Sequence, residues 1–152
     1  MAEDMVEVTR TAMFMERVRR RDGRHPTPEH ALAWATRNGY RALGVNDGGW
    51  LAVGNRADLV VVDLRRPHLT PALRVVSDFV HNGQASDVRS VMVDGRWLMR
   101  DRQVLTIDEA DVVTRAEEIG RRVWRQLVAR YPNVPFPITL PPLVSGVADT
   151  RR

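Results

Sequence analysis

Apolar residues in this chain recur first at helical spacing, then in β-branched runs, then at helical spacing again. From about Asp4 to Arg21, Met5, Val8, Ala12 and Met15 fall near one helical stripe, while Val6, Met13, Phe14 and Val18 add apolar surface elsewhere. A helix apolar on more than one face is expected to be packed on two sides, and this one is expected to stop at Asp22-Gly23. A second helix opens at Thr27-Pro28, where the threonine caps free amides and the proline's missing N–H costs nothing. Ala31, Leu32 and Ala35 form its buried stripe, and Asn38-Gly39, both tolerant of a left-handed backbone, are expected to break it. A short further turn, Tyr40 to Leu43, ends at Gly44.

The run "ADLVVVDL", Ala57 to Leu64, is too short and too β-branched for a helix and predicts a strand buried on both faces or nearly so. Arg66 to Gln84 reads mostly as loop, with a helical turn near Val75 to Val80. Val88–Val93 and Arg96–Arg100 predict a hairpin around Asp94-Gly95. Thr106 and Glu109 have the spacing of a capping box, and Val112, Ala116, Ile119, Val123 and Leu127 form the stripe of a last helix. Its opposite face carries Arg115, Glu118, Arg122 and Arg125. Beyond Pro132, prolines 135, 137, 141 and 142 predict an extended or disordered tail. The order is helix, helix, strand, hairpin, helix, without internal repeats.

At 152 residues and 43% hydrophobic, the chain has the size and composition of one globular domain. It has no cysteine, which excludes disulfide and thiolate chemistry. No apolar run approaches the roughly 20 residues of a membrane span, and the acidic N-terminus is unlike a signal peptide. A soluble, cytoplasmic chain with no membrane partner is expected. The net charge of +4 raises nucleic acid as a partner. Yet the cations are arginines interleaved with acids, Arg19-Arg20-Arg21 reads as a solvated helix end, and Trp50, Trp97 and Trp124 are scattered rather than set at stacking intervals. Nucleic acid ranks last among the candidate partners.

The candidate chemistry is sparse. His25 and His30 lie five apart among prolines, His68 and His81 flank the loop, and no His-x-His or H-E-x-x-H occurs. His30 is expected on the exposed first turn of its helix. There is no G-x-S-x-G elbow and no phosphate-cradling glycine pattern. Asp58 and Asp63 bracket a strand, and five extended residues set them about 16 Å apart, too far to share a proton.

The segments "TPEHALAWATRNGYRALGV", "GWLAVGNRADLVVVDL" and "SDVRSVMVDGRWLMRDRQV", in that order, resemble the C-terminal part of metal-dependent amidohydrolases. The branch is that of the cytosine, guanine and S-adenosylhomocysteine deaminases with the triazine chlorohydrolases. The second segment follows the pattern G-x-L-x-x-G-x-x-A-D-L-V-V-x-D at Gly49, Leu51, Gly54, Ala57, Asp58, Leu59, Val60, Val61 and Asp63. The third matches at Val91, Val93, Gly95 and Leu98, and "RRPHLTP" is also similar to this branch. The resemblance covers roughly Asp4 to Arg130.

It implies an α/β fold: the last helices of a (β/α)₈ barrel in residues 1–48, strands and a hairpin of a composite β-sandwich in 49–105, an amphipathic helix in 106–131, and a Pro-rich extended tail in 132–152. It also implies metal-assisted hydrolysis of a C–N or C–Cl bond of a small heterocycle, with zinc or iron activating water. In such proteins the metal ligands and the catalytic His and Glu precede the stretch matching Asp4 onward. No catalytic and no metal-binding residue is therefore assigned here, and no cofactor is expected in this chain. Asp4 resembles a position just past the metal-binding Asp, on the pocket rim or simply at the start of a helix. The expected partner is the missing N-terminal part of the same enzyme, or a second copy. The alternative is a stand-alone partner-binding module or oligomerisation domain without catalysis.

Overall fold

The computed structural model describes residues 4–135, so the proline-rich tail from Phe136 onward lies outside the described residues. The residues up to Thr106 form one compact unit and those from Ile107 a second.

In the first unit, helix α1 (Met5–Arg20) is followed by α2 (Pro28–Ala33), which runs through a π-helical turn (Trp34–Asn38) into α3 (Gly39–Ala42). Strand β1 (Leu59–Val62), a 3₁₀ turn (Pro67–Leu69), α4 (Val75–Asn82) and a second 3₁₀ turn (Ala85–Asp87) come next. Strands β2 (Val88–Val93), β3 (Arg96–Arg100) and β4 (Gln103–Val104) complete it. The result is α/β, with one four-stranded antiparallel sheet in the order β1-β2-β3-β4. Val60 stands opposite Val91, and Val91 opposite Met99. Asp94 (φ 49°) and Gly95 (φ 76°) both take left-handed conformations, the geometry a two-residue hairpin loop requires.

Local chemistry accounts for most helix ends. The Asp4 carboxylate caps α1, accepting from the Val6 amide at 2.8 Å. Thr27 and His30 cap α2 reciprocally, the imidazole standing where Glu or Gln usually serves. Helix α1 stops as expected before Asp22-Gly23, with its cap at Arg21 (φ 53°), where the amides of Arg21 and Asp22 fold back onto the carbonyls of Val18 and Arg17, both at 3.1 Å. One expected stop is corrected. Asn38-Gly39 does not break the second helix: both residues are right-handed helical, and the wider π turn carries the chain through them. His81, expected beside a loop, sits in α4, an eight-residue helix longer than the single turn anticipated.

The core is small: Met13, Ala31 and Val80, flanked by Leu32 and Val76. Helix α1 therefore packs through Met13 and not through the stripe Met5, Val8, Ala12 and Met15, of which Met15 is 68% exposed. The inner face was hidden in the sequence because it also carries Arg10 and Arg17. Their heads reach main-chain carbonyls: Arg10 donates to the carbonyls of Val80, at 3.0 Å, and Gly83, and Arg17 to that of Pro26 at 2.9 Å. Strand β1, expected to be buried on both faces, has Val60 at 60% and Val61 at 42% exposure. These two consecutive valines point to opposite faces of the strand, so neither face is fully covered.

The second unit is helix α5 (Glu109–Arg130). Its cap is Asp108, which accepts from the Asp111 amide at 3.1 Å, so the helix starts beyond the expected Thr106 capping box. The apolar residues Val112, Ile119 and Val123 are exposed, and Arg115 pairs with Asp111 on its polar side. No helix among the described residues is long and apolar enough to cross a membrane.

If Met13 is the core anchor of α1, Met13→Ala should lower the unfolding free energy by about 2–3 kcal/mol, the usual cost of emptying a buried site. Met15→Ala on the outer face should stay within about 0.5 kcal/mol of the parent. Urea denaturation followed by circular dichroism distinguishes the two faces.

Candidate functional site

Between the helices and the sheet of the first unit lies an apolar groove of about 770 Å³, lined among others by Met5, Leu32, Tyr40, Trp50, Val60 and Met92. Its polar feature is a clasp. The Tyr40 hydroxyl donates to one oxygen of Asp58, and the other oxygen accepts from the Asp94 amide at 2.5 Å. One carboxylate thus ties α3 to the β2–β3 hairpin.

The Gly48-Gly49 pair makes room for this arrangement. A Cβ on Gly48 would stand 1.9 Å from the Tyr40 ring, and one on Gly49 (φ 86°) would stand 2.8 Å from Cα of Arg37 in the π turn. Asn55 then braces the turn from its side chain, donating to the Trp50 carbonyl at 3.0 Å.

Asp63 does not share its surroundings with Asp58. It accepts from Arg102 and from the Arg65 amide, each at 3.0 Å, and these two bonds, led by Arg102, hold its carboxyl below the ordinary carboxylate range. A second carboxylate, which sequence reasoning missed, is more deeply placed. Asp87 is 1% exposed and accepts from His68 Nε2 at 2.8 Å and from the Gln84 amide at 2.9 Å. Arg66 Nε lies 3.7 Å from its other oxygen. Burial opposes the charge of Asp87, but the His68 and Gln84 bonds and the nearby cations outweigh it, and its carboxyl titrates below the usual range. His68 and Asp87 are nineteen positions apart, with no local spacing to connect them.

The four histidines go to separate places. His25 lies 3.2 Å from Asp22, His30 caps its own helix from an exposed position, and His68 serves Asp87. His81 donates through Nδ1 to the Ser77 carbonyl at 2.9 Å, beneath the ring of Phe14. Among the described residues, no three His, Cys, Asp or Glu side chains come together as a metal ion would require. Asp4 is a helix cap whose second oxygen accepts from the Ala85 amide at 3.2 Å.

The sequence profile of the amidohydrolase family matches residues 1–98. The chain belongs to the amidohydrolase family. It is 36% identical over 121 residues to a 5-methylthioadenosine/S-adenosylhomocysteine deaminase of Syntrophomonas wolfei, a match covering 79% of this chain. It is 39% identical over 127 residues to a 5'-deoxyadenosine deaminase of Methanosarcina acetivorans, covering 84% of this chain. The chain spans 28% of the length of each of these relatives. Among solved structures, a zinc-bound adenosine deaminase from Xanthomonas campestris aligns with a TM-score of 0.76 at 30% identity, covering 80% of this chain and 28% of that one. Atrazine chlorohydrolase from Arthrobacter aurescens aligns over 74% of this chain and 25% of its own, with a TM-score of 0.67 at 20% identity, a likeness of fold alone. This chain thus corresponds to a C-terminal portion of an amidohydrolase.

Three substitutions test the Asp87 bonds and the glycine turn. Because the Asp87 pKa is depressed by folding, its contribution is present above the ordinary carboxylate value of about 3.9 and is lost as the pH falls through the folded-state value. Asp87→Asn should therefore cost about 1.5–3 kcal/mol at pH 7, in line with losing bonds to a charged group, and the deficit should shrink toward pH 3. Urea titrations across that range measure it. Gly49→Ala should destabilise more than Gly54→Ala, since Gly54 (φ 89°) shares the backbone strain but has open space around it. The difference in melting temperature isolates the close approach to the π turn.

Proposed function

We propose that this chain is the C-terminal part of an amidohydrolase that removes an amino group hydrolytically from the purine of an adenosine-like nucleoside. The observation that carries this is identity: 36% and 39% to two nucleoside deaminases over four-fifths or so of the chain, within 28% of their length. On this reading residues 1–48 supply the last helices of a (β/α)₈ barrel and 49–105 the strands of a β-sandwich. Residues 106–131 form an outer amphipathic helix.

A divalent ion, zinc or iron, would supply an activated water, and its ligands belong to the polypeptide that precedes the matched region. The residues described here do structural work in that scheme. Asp58 and Asp87 fix the loops around the sheet, and the cap at Asp4 fixes where α1 begins. The chlorohydrolase likeness leaves C–Cl hydrolysis of a triazine as the alternative substrate class.

The test is complementation. The chain is co-expressed with the portion of the Methanosarcina acetivorans 5'-deoxyadenosine deaminase that precedes its matching region, with zinc supplied. Ammonia release from 5'-deoxyadenosine and S-adenosylhomocysteine, and chloride release from a chlorotriazine, are then measured. Neither piece alone is expected to turn over substrate, while the pair should release ammonia. Turnover by the chain alone, or a soluble, zinc-loaded pair inert toward every substrate, would overturn the reading.

A further inference from the structure

The chain joins Asp or Asn to glycine at Asp22-Gly23, Asn38-Gly39, Asp47-Gly48, Asn82-Gly83 and Asp94-Gly95. At such a step the glycine nitrogen, unshielded by a side chain of its own, can attack the preceding side-chain carbonyl and close a cyclic imide. The fold shields all but one of them. The Gly39 amide donates to the Thr36 carbonyl within a helix, the Gly83 amide to the Phe79 carbonyl at 2.8 Å, and the Gly95 amide to the Ala57 carbonyl at 3.1 Å. Gly48 is buried against the Tyr40 ring, and the Asp47 carboxylate is turned to Arg56 Nε at 3.0 Å. Asp22-Gly23, just past the end of α1, differs in each respect. Gly23 is exposed, the space around it is open, and its amide donates to no group among the described residues.

The Asp22 carboxylate is bent across the Gly23 peptide. Its Oδ1 accepts from the Arg24 amide at 2.8 Å, and its Oδ2 lies 3.2 Å from His25 Nδ1. These bonds, that of Arg24 foremost, hold the carboxyl below the ordinary carboxylate range, so the proton a departing water needs has to come from a neighbour. We propose that Asp22-Gly23 is a self-modification site that converts to isoaspartate, with the Arg24 amide as oxyanion donor and His25 as general acid. The Gly23 nitrogen attacks Asp22 Cγ, and the charge that grows on Oδ1 meets the Arg24 N–H. The Cγ–Oδ2 bond then breaks. Oδ2 takes one proton from the His25 imidazolium and one from the Gly23 nitrogen and leaves as water. A carboxylate, an imidazolium and an amide thus become a neutral succinimide, a neutral imidazole and water. A second water opens the ring at either imide carbonyl and gives back the proton. Opening at the Asp22 main-chain carbonyl leaves the chain running through Cγ. The Asp22 and His25 side chains are 42% and 59% exposed, which admits that water. Isoaspartate adds a methylene to the main chain between α1 and α2 and moves the carboxylate away from Arg24 and His25. This is the turn that Arg17 spans to the Pro26 carbonyl at 2.9 Å.

The test is to hold the chain in slightly acidic heavy-oxygen water, where imidazole is protonated in part. Hydrolysis of the imide then puts a heavy oxygen on each residue that has passed through it. Peptide mass spectrometry reads label and isoaspartate at every Asp-Gly step. In the folded chain Asp22 should take up at least about fivefold more label than Asp94, the factor that first breaking one ordinary hydrogen bond imposes. In urea that lead should vanish, because the bonds that distinguish the steps are gone. His25→Gln should cut labelling at Asp22 several-fold and leave Asp94 unchanged. Equal labelling of Asp22 and Asp94 in the folded chain overturns the site, and so does a lead that persists in urea. Labelling at Asp22 that is indifferent to His25→Gln overturns it as well, since the imidazole then plays no part. The comparison of folded and unfolded parent needs no variant, so it decides the matter even where His25→Gln disturbs the turn.

Discussion

Apolar surface has to be covered by something, and the first unit has more of it than it can cover. A helix layer against a sheet is stable when each apolar face meets another. Here helices α1, α2 and α4 enclose Met13, Ala31 and Val80 among themselves, while Met15, Val18, Val60 and Leu51 stay in contact with solvent. These are side chains whose burial is worth about 1.5–3 kcal/mol each. Such residues scattered singly would need no explanation, but Met5 and Val60 meet in one groove. The excess is what one expects where a fold continues into another part of the same architecture.

With so little core, directional bonds carry much of the shape. Three carboxylates and two guanidiniums join segments distant in sequence. Asp4 ties the start of α1 to Ala85, Arg10 ties α1 to Val80 and Gly83, Arg17 reaches Pro26, Asp58 links Tyr40 to Asp94, and Asp87 gathers His68 and Gln84. Most of these bonds end on main-chain groups of turns, which have no ladder partner of their own. Bonds to a charged group contribute about 1.5–3 kcal/mol, and a buried main-chain group left without one costs a similar amount. The turns between the elements are thus held by chemistry that an apolar core of this size could not replace.

How much of this could be read in advance depended on range. Thr27-Pro28 and Asp94-Gly95 were legible because a cap or a two-residue turn is decided within a few positions. The inner face of α1 was not, because apolar residues surround that helix and the face that packs is marked by Arg10 and Arg17, which pattern analysis assigns to solvent. Asn38-Gly39 misled because tolerance of a left-handed backbone is not a demand for one. Asp87 was invisible because its partner His68 lies across a turn and a helix. The burial expected of β1 reads differently again. A run of β-branched residues predicts burial from composition alone, and in the described residues both middle valines of the strand are exposed.

The pattern that marks the family in this chain is a set of packing requirements and not a set of reactive groups. Gly49 is glycine because Arg37 leaves no room for a Cβ, Gly54 because φ is 89°, Asp58 because a tyrosine hydroxyl and a hairpin amide both need an acceptor, and Asp63 because Arg102 and the Arg65 amide do. None of these side chains is free to act on a substrate. A sequence motif can therefore identify a family through the turns and packing it specifies, apart from any reactive group. This is why the likeness to deaminases is specific over these residues even though no cluster of metal ligands forms among those described. The residues that mark the family in this portion determine how a glycine turn, a π turn and a hairpin fit together.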